Sequence, residues 1–324
     1  MNTVELLTPE QANPDNPEWH ALRRDGITAS EIGAVLGLSP WDSPFSLYWR
    51  KINDWRADDT VDMSTGRRVE PVVADWWADA VGAPAGMYVR PAGLYAHEAR
   101  RWQLATPDRL VRTWVRPGVG RLTSVLECKW TGTWDGWGEP GTDDIPVYYR
   151  AQVLWQCDVL GVDEGHLAVL GPGGFRAYGP IRRDERDLTV MRDAARQLLA
   201  RIDASEPPDV DEHTATLATI KRLHPSLVDE QTEISTETAA GYRRARALKQ
   251  AATRLCDRFE ARLRAEMGAN RTAADAAGVK VATRSVYDVT RVDTVRLKAD
   301  QPEVAAAYAT TSTTDRITPA RSKR

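Results

Sequence analysis

The stretch from Leu104 to Trp130, "LATPDRLVRTWVRPGVGRLTSVLECKW", constrains this chain more than any other. Two β-prone runs flank "RPGVG", so the chain turns back on itself as a hairpin. Strand side chains alternate between faces. Leu126 and Cys128 therefore point to one side, and Val125, Glu127 and Lys129 to the other. An acid and an amine thus share a face within an otherwise apolar run. One reading is an edge strand with a solvated charged face. The other follows from the hairpin, which lets Asp108, at the opening of the first strand, approach Glu127. Two carboxylates brought together repel unless a cation lies between them. An oxygen-only ligand set suits a hard ion such as magnesium, which takes few protein carboxylates and keeps water or phosphate oxygens besides.

Composition narrows the classes. The 324 residues are 42% hydrophobic and 27% charged, as in ordinary globular proteins, and fit one large domain plus an appendage. No apolar run approaches the ~18 residues of a membrane span. The amino-terminal "MNTVELLTPEQANPDNPEWH" lacks the pattern of a secretory signal. Cys128, Cys157 and Cys256 are too scattered for a disulfide framework or a zinc pattern, which fits a reducing cytoplasm. A net charge of -3 means that contacts to nucleic acid would come from local basic patches. Twelve tryptophans stand against three phenylalanines, several of them in "WTGTWDGWGEP". They read first as packing residues and second as a stacking surface for unpaired bases.

Along the chain, Thr28 with Glu31 reads as a capping box opening a short helix that stops at Gly37. Ser43 with Pro44 opens a second helix. "STGRRVEPVVADWWADAVG" is a helix that begins near Glu70 or kinks at Pro71. After the hairpin come a helix in "PVYYRAQVLWQCDVLG", two strands in "EGHLAVLGPGGFRAYGPI" and an amphipathic helix in "DERDLTVMRDAARQLLARID". The fold class expected is α/β, a mixed α+β sheet flanked by helices. The core spans residues 1–204, a Pro-rich acidic linker 205–236, and a carboxy-terminal region 237–324. That last region reads as a long helix from about Glu237 to Met267, with an arginine-rich face, and a β-hairpin in "GVKVATRSVYDVTRVDTVRLK".

"WHALRRDGITASEIGAVLGLSP", "GRRVEP", "ATPDRLV", "LECKW" and "YRAQVLWQCDVLGV", in that order, resemble the YqaJ-like viral recombinase family. That family is similar to phage lambda exonuclease within the PD-(D/E)XK nuclease superfamily, whose core is restriction-endonuclease-like. The resemblance covers about the first two thirds of the chain. It implies that Asp108 and Glu127, with the Cys128 carbonyl, hold magnesium, for which manganese substitutes. It implies Lys129 as the lysine that orients the attacking water or stabilises charge on the phosphate. Glu70 matches a helix glutamate serving a second ion or its water shell, and Gln152 a glutamine beside the site. Arg23 and Ser30 match positions that contact a DNA 5′-phosphate. Arg109 departs from the family, which has glycine there.

The activity so implied is a metal-dependent exonuclease. It would digest linear duplex DNA from 5′ to 3′ and leave 3′ single strands for recombination. The alternatives are an endonuclease with the same site and a noncatalytic DNA-binding scaffold. Implied partners are double-stranded DNA, a single-strand annealing protein and further copies of the chain, with no membrane, in the cytoplasm of a host cell if the gene is viral. On the residues themselves, Arg23 with Arg24 reads as a phosphate grip or as surface charge, Glu70 as a site residue or a surface carboxylate, and Gln152 as a site residue or a satisfied core amide. His20 and His166 read as structural.

Overall fold

The computed structural model describes residues 3–56, 60–116, 118–312 and 314–319. Pro117, in the expected hairpin turn, and the last residues of the basic tail lie outside them. The chain divides into two compact units, Met1–Pro225 and Ser226–Arg324. In the first, the elements run β1 (Thr3–Leu7), α1 (Pro17–Asp25), β2 (Ile27–Thr28), α2 (Ile32–Val35), α3 (Pro44–Ile52), α4 (Val61–Trp77), β3 (Met87–Pro91), β4 (Leu94–His97) and β5 (Arg100–Ala105). They continue with β6 (Arg109–Arg116), β7 (Val119–Trp130), α5 (Val147–Leu160), β8 (Glu164–Gly171), β9 (Gly174–Arg182), α6 (Glu185–Ala204) and α7 (Thr214–Leu223).

This is a mixed α/β fold. Among the described residues, β3-β6-β7-β8-β9 form one sheet and β1-β4-β5-β2 a second. The expected hairpin is present: β6 pairs antiparallel with β7, with Arg109 opposite Leu126. β7 pairs parallel with β8, and α5 crosses between them. Parallel neighbours need such a crossover, and the crossing helix covers a sheet face.

The alternation read from the sequence holds in β7. Val125 packs in the core built around α5, whereas Leu126 and Cys128 pack with Val73, Ala74 and Trp77 of α4. The strand thus lies between two helices. α5 is buried nearly all round, from Val153 through Leu160. It approaches β8 so closely that a Cβ on Gly165 would stand 2.4 Å from Val153 Cγ1. Only glycine admits that contact.

Several elements differ from the sequence reading. α1 and β1 carry no strong periodic signal; β1 forms because an edge of β4 is there to pair with. α4 starts at Val61, capped by the Thr60 hydroxyl, and runs through Pro71. Its buried face against the sheet offsets the backbone bond that proline removes. The segment expected as a linker contains α7, with Thr216 and Thr219 buried. Thr216 Oγ1 lies 2.6 Å from Ser43 Oγ at the start of α3. The first unit therefore continues to Pro225, beyond residue 204.

In the second unit, α8 (Thr236–Met267) is the long helix expected. The carboxy-terminal hairpin falls elsewhere. It pairs β10 (Thr272–Ala274) with β11 (Lys280–Thr283), and the stretch expected to return as a strand becomes α9 (Thr294–Asp300), followed by α10 (Pro302–Ala307). Asp293 accepts from the N–H groups of Val295 and Arg296, and this cap sets the helix. Among the described residues, no helix is long and apolar enough to cross a membrane.

His166 on β8 is 8% exposed, beside the Trp77 ring, and its Nε2 has no hydrogen-bond partner. Burial pushes its pKa down to about 4. A folded-state pKa below the unfolded value means that the unfolded chain takes the proton first, so stability falls as pH drops from about 6.5 toward 4. The loss across that window is expected to reach roughly 3 kcal/mol. Urea melts at stepped pH check this, and His166→Leu should flatten that part of the profile. Separately, a chain cut after Pro225 should melt cooperatively. One cut after Ala204, lacking the Ser43–Thr216 contact, should melt about 5 °C lower.

Candidate functional site

Glu127 is 3% exposed, an expensive place for a carboxylate unless every lone pair is answered. Its partners come from its own strand and from α5. Gln152 Nε2 donates to Oε1 at 2.5 Å and Gln156 Nε2 to Oε2 at 2.6 Å. The two glutamines are four residues apart, one helical turn, so both amides face β7. Lys129, two residues on along the strand, closes the set with an ion pair to Oε1. Gln156 was not singled out by the sequence reading. The signal was its i, i+4 spacing from Gln152.

Asp108 enters from the start of β6. Its Oδ2 accepts the Cys128 N–H at 2.7 Å, which fixes the carboxylate at the end of the hairpin beside Glu127. Among the described residues no donor meets Oδ1. Burial pushes the Asp108 pKa well above the usual carboxylate range, and the negative charges of Glu127 and Glu70 add to the shift. Burial works against the Lys129 ammonium, yet Glu127 and Asp108 hold its pKa above the ordinary lysine value. Its Nζ also lies 5.3 Å from the ring centroid of Tyr149. Glu70 reaches the group from α4, and Arg109 answers it at 2.8 Å while donating to the Asp108 carbonyl at 2.6 Å. Arg109 thus pairs with the third carboxylate.

No three His, Cys, Asp or Glu side chains among the described residues converge as a complete metal cage. The donors present are two neighbouring carboxylates, one with an uncommitted oxygen, and nearby main chain. That set fits a hard divalent cation that keeps most of its shell as water or phosphate oxygen.

Arg23 and Ser30 also meet. Arg23 Nη2 donates to Ser30 Oγ at 3.2 Å, and the guanidinium lies 4.3 Å from the Trp19 ring centroid. They line an open cavity of about 780 Å³ shared with Arg24, Arg50, Lys51 and Arg67. Its floor is a buried ion network. Lys51 Nζ donates to Glu31 Oε2 (3.1 Å) and to the carbonyls of Arg23 (2.8 Å) and Gly26 (2.7 Å). Burial opposes the Glu31 carboxylate, but Lys51, Arg23 and Arg50 keep its pKa below the usual value.

Half of the expected capping box is present. Glu31 is the accepting partner, taking the N–H and hydroxyl of Thr28 at 3.0 Å each. Lys51 and Arg50 also pair with the Glu31 carboxylate, and α2 begins at Ile32. Ser30 sits in the turn before that helix, so the polar character of the cavity comes from side chains and not from a helix end.

Three of the remaining sequence expectations are structural in this fold. His20 Nε2 bonds the Pro14 carbonyl at 2.7 Å. Trp134 donates to the Pro172 carbonyl at 2.7 Å, with the Arg176 guanidinium 3.9 Å from its ring centroid. Trp137 packs among Trp134, Tyr149 and Tyr178. The Trp-rich loop is thus chiefly packing.

A mixed α/β scaffold, a carboxylate–lysine cluster at the end of a hairpin and an arginine-lined cavity define the class of protein. Residues 18–163 match the model of the YqaJ-like viral recombinase domain. The chain is 27% identical over 180 residues to the uncharacterized protein YqaJ of Bacillus subtilis (strain 168). The match covers 54% of this chain and 52% of that protein, so the chain spans about half the length of the curated relative. Among solved structures, the alkaline exonuclease LHK-Exo from Laribacter hongkongensis is 18% identical. It matches with a TM-score of 0.44 over 64% of this chain and 99% of that one. The same protein in complex with dAMP gives a TM-score of 0.45 at 18% identity, over 65% and 99%.

Gln156→Ala is expected to destabilise the chain by about 2–3 kcal/mol, because it leaves a buried carboxylate short of a donor and opens a void. Chemical denaturation reads this directly, and Gln152→Ala, nearer the surface, should cost less.

Proposed function

We propose that this chain is a magnesium-dependent deoxyribonuclease that degrades the 5′-ended strand of linear duplex DNA, leaving 3′ single strands for recombination. One observation carries the reading. The arginine-lined cavity and the Asp108–Glu127–Lys129 cluster are joined by α4, which lends Arg67 to the first and Glu70, three residues on, to the neighbourhood of the second. Three residues of helix rise only about 4.5 Å. A strand whose terminal phosphate entered the cavity would have its next linkages near the carboxylates.

Asp108 and Glu127 would hold the cation, which supplies Lewis-acid polarisation of the phosphodiester and a more acidic water. Gln152 and Gln156 fix the Glu127 carboxylate, and the Cys128 N–H fixes that of Asp108. Lys129, kept protonated between two carboxylates, presents an ammonium to the developing phosphate charge. Arg23, held by Ser30 and stacked on Trp19, offers a preorganised fork for a phosphate dianion. The binding energy of that phosphate is then available to position the scissile bond.

The test compares 5′-phosphorylated and 5′-hydroxyl linear duplexes in magnesium. The phosphorylated end should be cut faster, and Arg23→Ala should remove a factor of ten or more, since one charge-assisted contact is worth roughly 1.5–3 kcal/mol. Lys129→Ala should abolish cleavage while leaving DNA binding in place, and the lost ion pair to buried Glu127 should lower the melting temperature. Equal rates on both ends, with cutting of closed circular duplex, would replace this reading with an endonuclease.

A further inference from the structure

The loop between α2 and α3 carries Trp41, whose side chain is 64% exposed. A lone exposed apolar residue needs no explanation, but this one stands on a loop braced from several directions. The N–H groups of Trp41 and Asp42 both donate to Ser39 Oγ at 3.2 Å. The Ser39 carbonyl accepts from His213 Nε2 at 3.1 Å, and the Ser43 hydroxyl meets that of Thr216 at 2.6 Å. His213 and Thr216 are the cap and first turn of α7, so that helix holds the loop from behind. Asp42 is locked by an ion pair to Arg50 and by the Ser46 hydroxyl.

The indole also sits between the two halves of the site. On one side its ring meets Tyr148 edge-on, with centroids 5.1 Å apart. Tyr148 meets Tyr149 at 4.4 Å, and Tyr149 lies 5.3 Å from Lys129 Nζ. On the other side, Asp42 grips Arg50, which lines the arginine-rich cavity. Contacts therefore lead from the Trp41 loop to both the cavity and Lys129. We propose that Trp41, backed by Tyr148, is a stacking platform for one unpaired nucleobase of the DNA strand held between the cavity and the carboxylate–lysine cluster. The proposal rests on the nuclease reading above. It adds that the strand is recognised by a base face, which any of the four bases presents.

The experiment uses the full chain with calcium in place of magnesium, so that the strand stays intact. The probe is a set of 5′-phosphorylated single-stranded oligonucleotides carrying 2-aminopurine at successive positions from the 5′ end. Anisotropy reads binding, and 2-aminopurine fluorescence reads stacking. The unmutated chain should quench the probe at one position or two adjacent ones. Trp41→Ala should restore that fluorescence and weaken binding about tenfold, as expected for one lost base–ring stack. Trp41→Phe should keep most of both effects and rules out a simple folding failure. Binding and quenching unchanged in Trp41→Ala would overturn the platform while leaving the nuclease reading intact. Absence of any binding by the unmutated chain, to these strands and to a 5′-phosphorylated linear duplex alike, would overturn both.

Discussion

The structure turns on one buried carboxylate. Glu127 stands in the layer between β7 and α5, where solvent cannot help it, and two glutamines and a lysine replace the lost water. Those partners come from two elements, so the ion pair and amide bonds also fix how α5 lies on the sheet. The parallel pairing of β7 with β8 needs α5 as its crossover, and the closeness allowed by Gly165 lets the amides reach. Replacing any member leaves either an unanswered charge or a gap, and both cost more than the hydrogen bond itself.

A second buried charge organises the other half of the site. Glu31 draws Lys51, Arg50 and Arg23 toward one point, with Thr28 completing its shell. Ion pairs of this kind add little net stability, because desolvation consumes most of the attraction. What they supply here is placement: cationic side chains from α1 and α3 face one cavity at fixed angles. α4 ties this half to the other, since Arg67 and Glu70 follow each other within one turn.

α7 shows how a surface segment is recruited to a site. Its sequence follows a Pro-rich acidic run and is weakly apolar, so nothing in it marks a core helix. Yet His213 and Thr216 clamp the loop that carries Trp41, and the helix becomes part of the first unit through those contacts. The tryptophans divide in the same way. Trp134 and Trp137 are absorbed by packing, while Trp41 is held out in solvent.

Much of this was legible in the sequence. The period-two pattern of β6 and β7 set the hairpin and sorted Glu127 and Lys129 from Leu126 and Cys128, because side-chain alternation is a local property of any strand. The Ser43–Pro44 start of α3 and the apolar spacing of α5 were equally local. Tertiary structure decided what local rules leave open. Gln156 turned out to be a partner of Glu127 only because α5 packs with that turn toward β7. The Thr28–Glu31 pair kept only the half of its capping box in which Glu31 accepts the Thr28 N–H, and the same carboxylate took Lys51, twenty residues away, as a further partner. Thr294–Asp300 became helix where the sequence reading had expected a returning strand. Pro71 was carried inside a helix because burial of α4 outweighed one missing hydrogen bond, and α7 joined the core through two side chains of unremarkable type. Apart from α9, which the local Asp293 cap sets, the deciding interaction in each case was a long-range contact, whose energy exists only once the rest of the chain has folded.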